Sequence, residues 1–194
     1  MATVIAQPKP VVAAHATPES KRGQIIQVIC EQLKDCKSVL ELGAGHFEMI
    51  GALSAAVRVG VEIHAPYIER RICDSSVVAI RYDATKAAEL FSSDSFDGVM
   101  LIDFIEHLSK PVALKLLEDV ERICKKTIFV HCPAGNHPQE GDAFGLGGEE
   151  YQLHRSSWEP EEFESLGFAT VVIDGFFDDK PDCDSRAIVA VRRL

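Results

Sequence analysis

Four carboxylates fall where apolar runs end. Glu41 precedes Gly43-Ala44-Gly45 at the close of run 38–42, and Glu62 lies in the last turns of run 57–63. Asp83 follows run 77–82, and Asp103 follows run 96–102 and opens Asp103-Phe104-Ile105-Glu106-His107. One acid in such a place reads as a cap or a solvated loop charge. Four at successive run ends build a mouth that is negative and rich in hydrogen-bond acceptors. An acid at the position of Glu62 suits ribose hydroxyls, and one at Asp83 suits an exocyclic adenine amine. Two glycines let the backbone turn tightly and approach a ligand closely. The complement is an adenosine compound with positive charge and no phosphate.

The elements that must hold these residues follow from periodicity. Apolar runs 38–42, 57–63, 77–82, 96–102, 126–132, 168–174 and 186–192 predict seven strands. Helical patterns lie between most of them, such as Ala113, Leu116, Leu117, Val120 and Cys124 after Pro111. Strands alternating with helices predict an α/β fold with a doubly wound, largely parallel sheet. Ahead of them, Thr17-Pro18-Glu19 reads as a helix start, with Ile25, Ile29 and Leu33 on one face of a helix of roughly 17 residues. Residues 1–16 read as a flexible tail and 17–194 as a single domain. Only 175–185, with Gly175, Asp178, Asp179, Pro181 and Asp182, separate the last two strands. A parallel crossover needs a dozen residues or more, usually a helix, so the last strand is expected to run antiparallel.

Composition narrows the function classes. The chain has 194 residues, 46% hydrophobic and 26% charged, which is globular composition. A net charge of −10 repels phosphate backbones, so no nucleic-acid partner is expected. No run approaches the roughly 18 apolar residues of a spanning helix, and Met1-Ala2-Thr3-Val4 lacks a signal-peptide flank. A cytoplasmic protein without a membrane partner is expected. The cysteines at 30, 36, 73, 124, 132 and 183 are scattered, so they read as reduced thiols, and no metal site is expected.

Strands that bind ligands do so beyond their carboxyl ends, near the point where strand order reverses. The four acids there fit S-adenosyl-L-methionine, with its ammonium, sulfonium, ribose and adenine. Val39-Leu40-Glu41-Leu42-Gly43-Ala44-Gly45 resembles motif I of class I S-adenosylmethionine-dependent methyltransferases, in particular small-molecule, type 11-like members. Glu62, Tyr82-Asp83-Ala84 and Asp103-Phe104-Ile105-Glu106-His107 resemble the later motifs in order and spacing, and the likeness covers about residues 20–194. It implies a Rossmann-like seven-stranded sheet of order 3-2-1-4-5-7-6 with strand 7 antiparallel. It further implies Glu41 near the cofactor's ammonium and Gly43, Ala44 and Gly45 along its backbone. Glu62 with Ile63 would lie at the ribose, Asp83 and Ala84 at the adenine, and Asp103 and Phe104 over the methionine side. One departure is Phe47, where the fuller motif has a third glycine.

Methyl transfer is an in-line displacement, so the protein mainly positions the acceptor and excludes water. His107 is the candidate base for an acceptor that must lose a proton; the alternative is that Glu106 and His107 only hold their loop. His131, inside a strand, reads as a buried structural histidine. The connection 133–158, about 26 residues, is long enough for a lid or substrate loop. It offers His137, Tyr151, His154 and Arg155 as substrate contacts, while Trp158 is expected to pack with Phe163 and Leu166 on a helix starting at Pro160 and ending at Gly167. The stretch 154–168 bears a distant resemblance to methyltransferases of bacterial glycan pathways, which makes a sugar or glycan intermediate the candidate acceptor. A homodimer is compatible with this reading. Two alternatives remain: a methyltransferase-like binding or regulatory subunit without turnover, and a nicotinamide-dependent oxidoreductase. Glu48, where a dinucleotide fingerprint needs its third glycine, and the short last connection both oppose the oxidoreductase.

Overall fold

Short apolar runs, buried on both faces of the sheet, account for the central strands of this chain. The computed structural model describes residues 3–4, 20–177 and 183–194. Its strands are β1 (Thr3–Val4), β2 (Ser38–Leu42), β3 (Val57–Glu62), β4 (Val77–Arg81), β5 (Phe96–Ile102), β6 (Cys124–Pro133), β7 (Ala169–Ile173) and β8 (Ala187–Arg193). They form one sheet of order β1-β4-β3-β2-β5-β6-β8-β7. Without the two-residue β1 this is the expected seven-stranded order 3-2-1-4-5-7-6. β2 to β6 pair in parallel, and β8 runs antiparallel to both β6 and β7. The short last connection dictates that reversal; its Asp178, Asp179, Pro181 and Asp182 lie outside the described residues.

β1 differs from the sequence reading. Thr3 and Val4, expected in a loose tail, pair antiparallel with Arg81 and Ile80 at the sheet edge. An edge strand offers unpaired N–H and C=O groups to any extended segment, whatever its side chains. The rest of 1–16, and the Thr17-Pro18 helix start, lie outside the described residues.

The helices are α1 (Lys21–Gln32), α2 (Glu48–Ala52), α3 (Ala65–Glu69), α4 (Ala87–Leu90), α5 (Lys110–Ile123), α6 (Glu149–Gln152) and α7 (Pro160–Ser165). α1 has 12 residues rather than the longer span expected, and Ser20 caps it by accepting the Gly23 N–H at 2.9 Å. Its Ile25 and Ile29, with Leu33, are buried against Val39, Met100, Ile102 and Phe129. The opposite face of the sheet, with Leu40, Leu42, Val99 and Leu101, packs on Ala113, Leu116 and Val120 of α5. The helices after β2, β3 and β4 shrink to about one turn each, and no helix among the described residues is long and apolar enough to cross a membrane.

Trp158 is fully buried and stacks on Phe163 at 4.8 Å, with the Lys110 ammonium 3.6 Å from its ring centroid. It serves the core, as its spacing from Phe163 and Leu166 implied. Phe47, at the place of the missing third glycine, takes φ = 62°, a left-handed conformation that costs a β-carbon residue about 1–2 kcal/mol. Its ring compensates by complete burial over Gly60, where a Cβ would lie 2.4 Å from the Phe47 ring. Gly60→Ala should therefore destabilise the protein by about 1–3 kcal/mol, measured by urea unfolding. Gly141→Ala, with open space around the new methyl, is the control. Equal stability of the two variants would refute this account of the Phe47 turn.

Candidate functional site

The sheet order reverses between β2 and β5, and a cavity of about 480 Å³ opens beyond their carboxyl ends. Every site residue expected from sequence lines it. From β2 and its turn come Glu41, Gly43, Ala44 and Gly45; from β3 come Glu62 and Ile63; from beyond β4 come Asp83 and Ala84. Asp103, Phe104 and His107 follow β5, and His137, Tyr151, His154 and Arg155 come from the long loop after β6.

Glu41 shares the α1/α2 face with Val39 and is 2% exposed. The Ile50 N–H donates to its Oε2 at 3.1 Å, yet burial pushes its carboxyl well above the usual range. Glu62 is fixed at both oxygens, accepting the Gly45 N–H at 2.9 Å and the His64 N–H at 2.8 Å. Burial outweighs those bonds and raises its pKa as well. Each carboxylate oxygen keeps a second acceptor site, so this clamp leaves capacity for a ligand diol. Asp83 behaves differently: its Oδ1 takes the Thr85 N–H at 3.0 Å and the Thr85 hydroxyl at 2.6 Å. It is a cap at the rim of the cavity.

Asp103 has φ = 46°, a strained conformation that needs outside support. His131 supplies it, its Nδ1 2.8 Å from Asp103 Oδ1 and its carbonyl accepting the Asp103 N–H at 2.9 Å. The Asp103 side chain is half-exposed at the cavity; partial desolvation there works to raise its carboxyl, but the His131 ring facing it holds it below the usual range. His131 is fully buried and thus structural, as expected, and it positions an acid of the site. Phe104 lies flat on the glycine turn: a Cβ on Gly43 would meet its ring at 2.2 Å. Gly43 also has φ = 73°, so two independent constraints demand glycine there.

The loop 133–158 is held in a knot around Asp142. Asp142 accepts the Tyr67 hydroxyl at 2.6 Å and the N–H groups of Phe144, Leu146 and Gly148 at 2.8, 2.6 and 3.1 Å. The knot sets Phe144 over Gly45 and against His46, ring centroids 4.1 Å apart. Partial burial would raise the Asp142 carboxyl, but these donors hold it at about 2. Neither Asp142 nor Phe144 stood out in the sequence, where the length of the loop and its His137, Tyr151, His154 and Arg155 marked it.

The second unforeseen grouping is Glu106, His107 and His154, whose ligand-type atoms all lie within 4.8 Å of one another. Burial raises the Glu106 carboxyl well above its usual range, and the Asp103 charge adds to the rise. Burial, and then His154, push His107 down to about 4, so its ring is neutral at pH 7 but a weak base. Arg155 lies at the cavity wall but also serves the loop, donating from its guanidinium to the His107 carbonyl at 2.9 Å. The cysteines form no disulfide among the described residues, and burial raises the Cys132 thiol well above its usual range.

Two predictions follow from these charges. Folded Glu41 binds its proton more tightly than unfolded Glu41, so its contribution to stability is greatest at acid pH and falls as pH rises above the ordinary carboxylate range. Glu41→Gln, which keeps an acceptor for the Ile50 N–H, should raise the thermal midpoint of the ligand-free protein more at pH 8 than at pH 5. A variant with the same midpoint difference at both pH values would contradict this. For Asp142 the sign is opposite: its depressed pKa stabilises the loop above the ordinary aspartate range, and the effect is lost as pH falls toward about 2. Asp142→Ala at neutral pH should speed amide exchange of Phe144 and Leu146 by about tenfold or more, the weight of one hydrogen bond to a charged group. Unchanged exchange would show that the knot does not hold the loop.

Comparison with known proteins agrees with this architecture. A SAM-dependent methyltransferase from Archaeoglobus fulgidus superposes with a TM-score of 0.65 at 18% identity, over 90% of this chain and 95% of that one. The methyltransferase domain of bacterial CtHen1 gives 0.61 at 18% identity, over 90% and 100%. Haemonchus contortus phosphoethanolamine N-methyltransferase 2, solved with phosphomonomethylethanolamine and S-adenosylhomocysteine, gives 0.55 at 19% identity, over 77% and 38%. The fold is that of class I SAM-dependent methyltransferases. No curated protein sequence matches the chain. A family profile described as methionine biosynthesis protein MetW matches residues 24–138, more than half of the sequence, and the chain belongs to the MetW family.

Proposed function

We propose that the cavity binds S-adenosyl-L-methionine and that the protein transfers its methyl group to a small polar acceptor. The observation that carries this reading is the Glu62 clamp. A buried carboxylate, held by two backbone N–H groups from the turns after β2 and β3, faces a cavity of the size small cofactors occupy. Glu41 beneath the turn is the partner for the ammonium, and Asp103 and Phe104 border the methionine side. The acceptor's lone pair forms a bond to the methyl carbon as the carbon–sulfur bond breaks, and its electrons neutralise the sulfonium. The loop knotted by Asp142 covers this end and limits water.

Within the stretch 154–168, which carried the likeness to glycan enzymes, Trp158, Phe163 and Phe168 belong to the core and Leu166 packs against it. The acceptor class therefore stays at small polar molecules, with His137, Tyr151, His154 and Arg155 as its contacts and a sugar as one member. The family description names methionine biosynthesis, not methyl transfer. That favours, as a second reading, a protein that binds the cofactor and regulates without turnover.

Calorimetric titration with S-adenosyl-L-methionine and S-adenosylhomocysteine, with NAD and NADP as controls, tests the cofactor. Only the adenosyl-sulfur compounds should bind, and Glu62→Ala should weaken them by about 1–3 kcal/mol at unchanged fold. An ammonium beside Glu41 would also draw off its proton, so binding near neutral pH should release protons, visible as buffer-dependent heat. Unaltered affinity in Glu62→Ala would rule out this placement of the ribose. Tight binding without transfer of labelled methyl to any small-molecule extract would favour the regulatory reading.

A further inference from the structure

Glu106 and His107 are 2% and 7% exposed, and each carries a buried polar atom without a hydrogen-bond partner: Glu106 Oε2 and His107 Nδ1. Buried polar groups are nearly always satisfied, so two orphans side by side point to a missing partner. The third member, His154, comes from the distant loop and is already oriented. Its Nδ1 donates to the His137 carbonyl, which can only accept, so Nε2 of the neutral ring keeps its lone pair. His137 is anchored in turn through its Nδ1 to the Asp184 carbonyl at 2.8 Å. A carbonyl that fixes the tautomer of an imidazole is the usual outer support of a metal-binding histidine.

The backbone around the three residues is also held. The Glu106 carbonyl accepts the N–H groups of Arg155 and Ser156 at 2.8 and 3.1 Å, which ties the two segments together. We propose that Glu106, His107 and His154 form a binding site for a divalent first-row transition ion of the zinc type. Two imidazoles and one carboxylate favour such an ion over Mg²⁺ or Ca²⁺, which prefer oxygen ligands throughout. Three protein ligands leave a coordination position open, and all three residues line the cavity, so that position faces the chamber. Bonds of about 2.1 Å place ligand atoms roughly 3.0–3.4 Å apart. Loading thus draws the three side chains together by rotation, while the backbone stays tied.

The inference does not depend on the proposed methyl transfer, because the ion can be titrated with neither cofactor nor acceptor present. Full-length protein stripped with a chelator is titrated with Zn²⁺, with Mg²⁺ as control, and its visible spectrum is recorded with Co²⁺. One equivalent of Zn²⁺ should bind, Mg²⁺ should not compete, and Co²⁺ should give ligand-field bands without thiolate charge transfer. Glu106→Gln, which preserves shape, and His154→Ala should each lower Zn²⁺ affinity by about 100-fold, with the metal-free thermal midpoint recorded for both. Three results would overturn the site: no stoichiometric binding, binding undiminished in Glu106→Gln, or a cobalt spectrum dominated by thiolate charge transfer from the cysteines. A failed cofactor titration would leave the metal site standing, and the reverse holds as well.

Discussion

A β-carbon on Gly43 would stand 2.2 Å from the ring of Phe104, and the cavity is built around the absence of that atom. β2 and β5 lie side by side in the sheet, so the loops that leave them must share one narrow crevice. Gly43 lets the first loop turn left-handed beneath the Phe104 ring. Asp103, next to that ring, then takes its own left-handed conformation, and His131 on the adjoining strand braces it. A bulkier turn at 43 would push Phe104 outward and move Asp103, Glu106 and His107 with it. The acids of the site are therefore placed by a steric vacancy and kept there by hydrogen bonds.

The electrostatics follow from where those acids lie. Glu41, Glu62 and Glu106 are all nearly inaccessible, and burial raises each carboxyl above its ordinary value. Low-dielectric surroundings make an unpaired charge costly and a paired one strong. A cavity walled in this way binds little of its own charge when empty and favours cations when filled. The ammonium proposed beside Glu41 and the metal ion proposed beside Glu106 would be two separate uses of the same property.

The fold is that of methyltransferases, while the family is described through methionine biosynthesis. A fold hosts many functions, and the site decides among them. In the function we propose, the clamp at Glu62 and the turn at Gly43 serve the cofactor, whereas the histidines of the loop after β6 serve the acceptor; all line one cavity. His107 sits at the junction of the two, neutral at pH 7 and poorly suited to act as a base unaided. Its buried, unpartnered nitrogen is better matched to a ligand than to a proton.

Strand positions were legible in the sequence because a short apolar run is a local property, and strands buried on both faces of a parallel sheet read as such runs: 38–42 and 96–102 agree to the residue with β2 and β5. The antiparallel last strand was legible too, since a short connection has no other way back. Placement of Glu41, Glu62, Asp103 and the glycine turn followed from those strand ends. The pairing of Thr3–Val4 with β4 was not legible, because a sheet edge recruits extended backbone without regard to side chains. A cap was one of the two readings open for Asp83 taken singly; that Asp83 is the acid that caps depends on where the Thr85 hydroxyl turns. The Asp142 knot and the convergence of His154 on Glu106 and His107 required the path of a long loop. Such a path is set by a few hydrogen bonds between segments far apart in the chain, and periodicity carries no record of them.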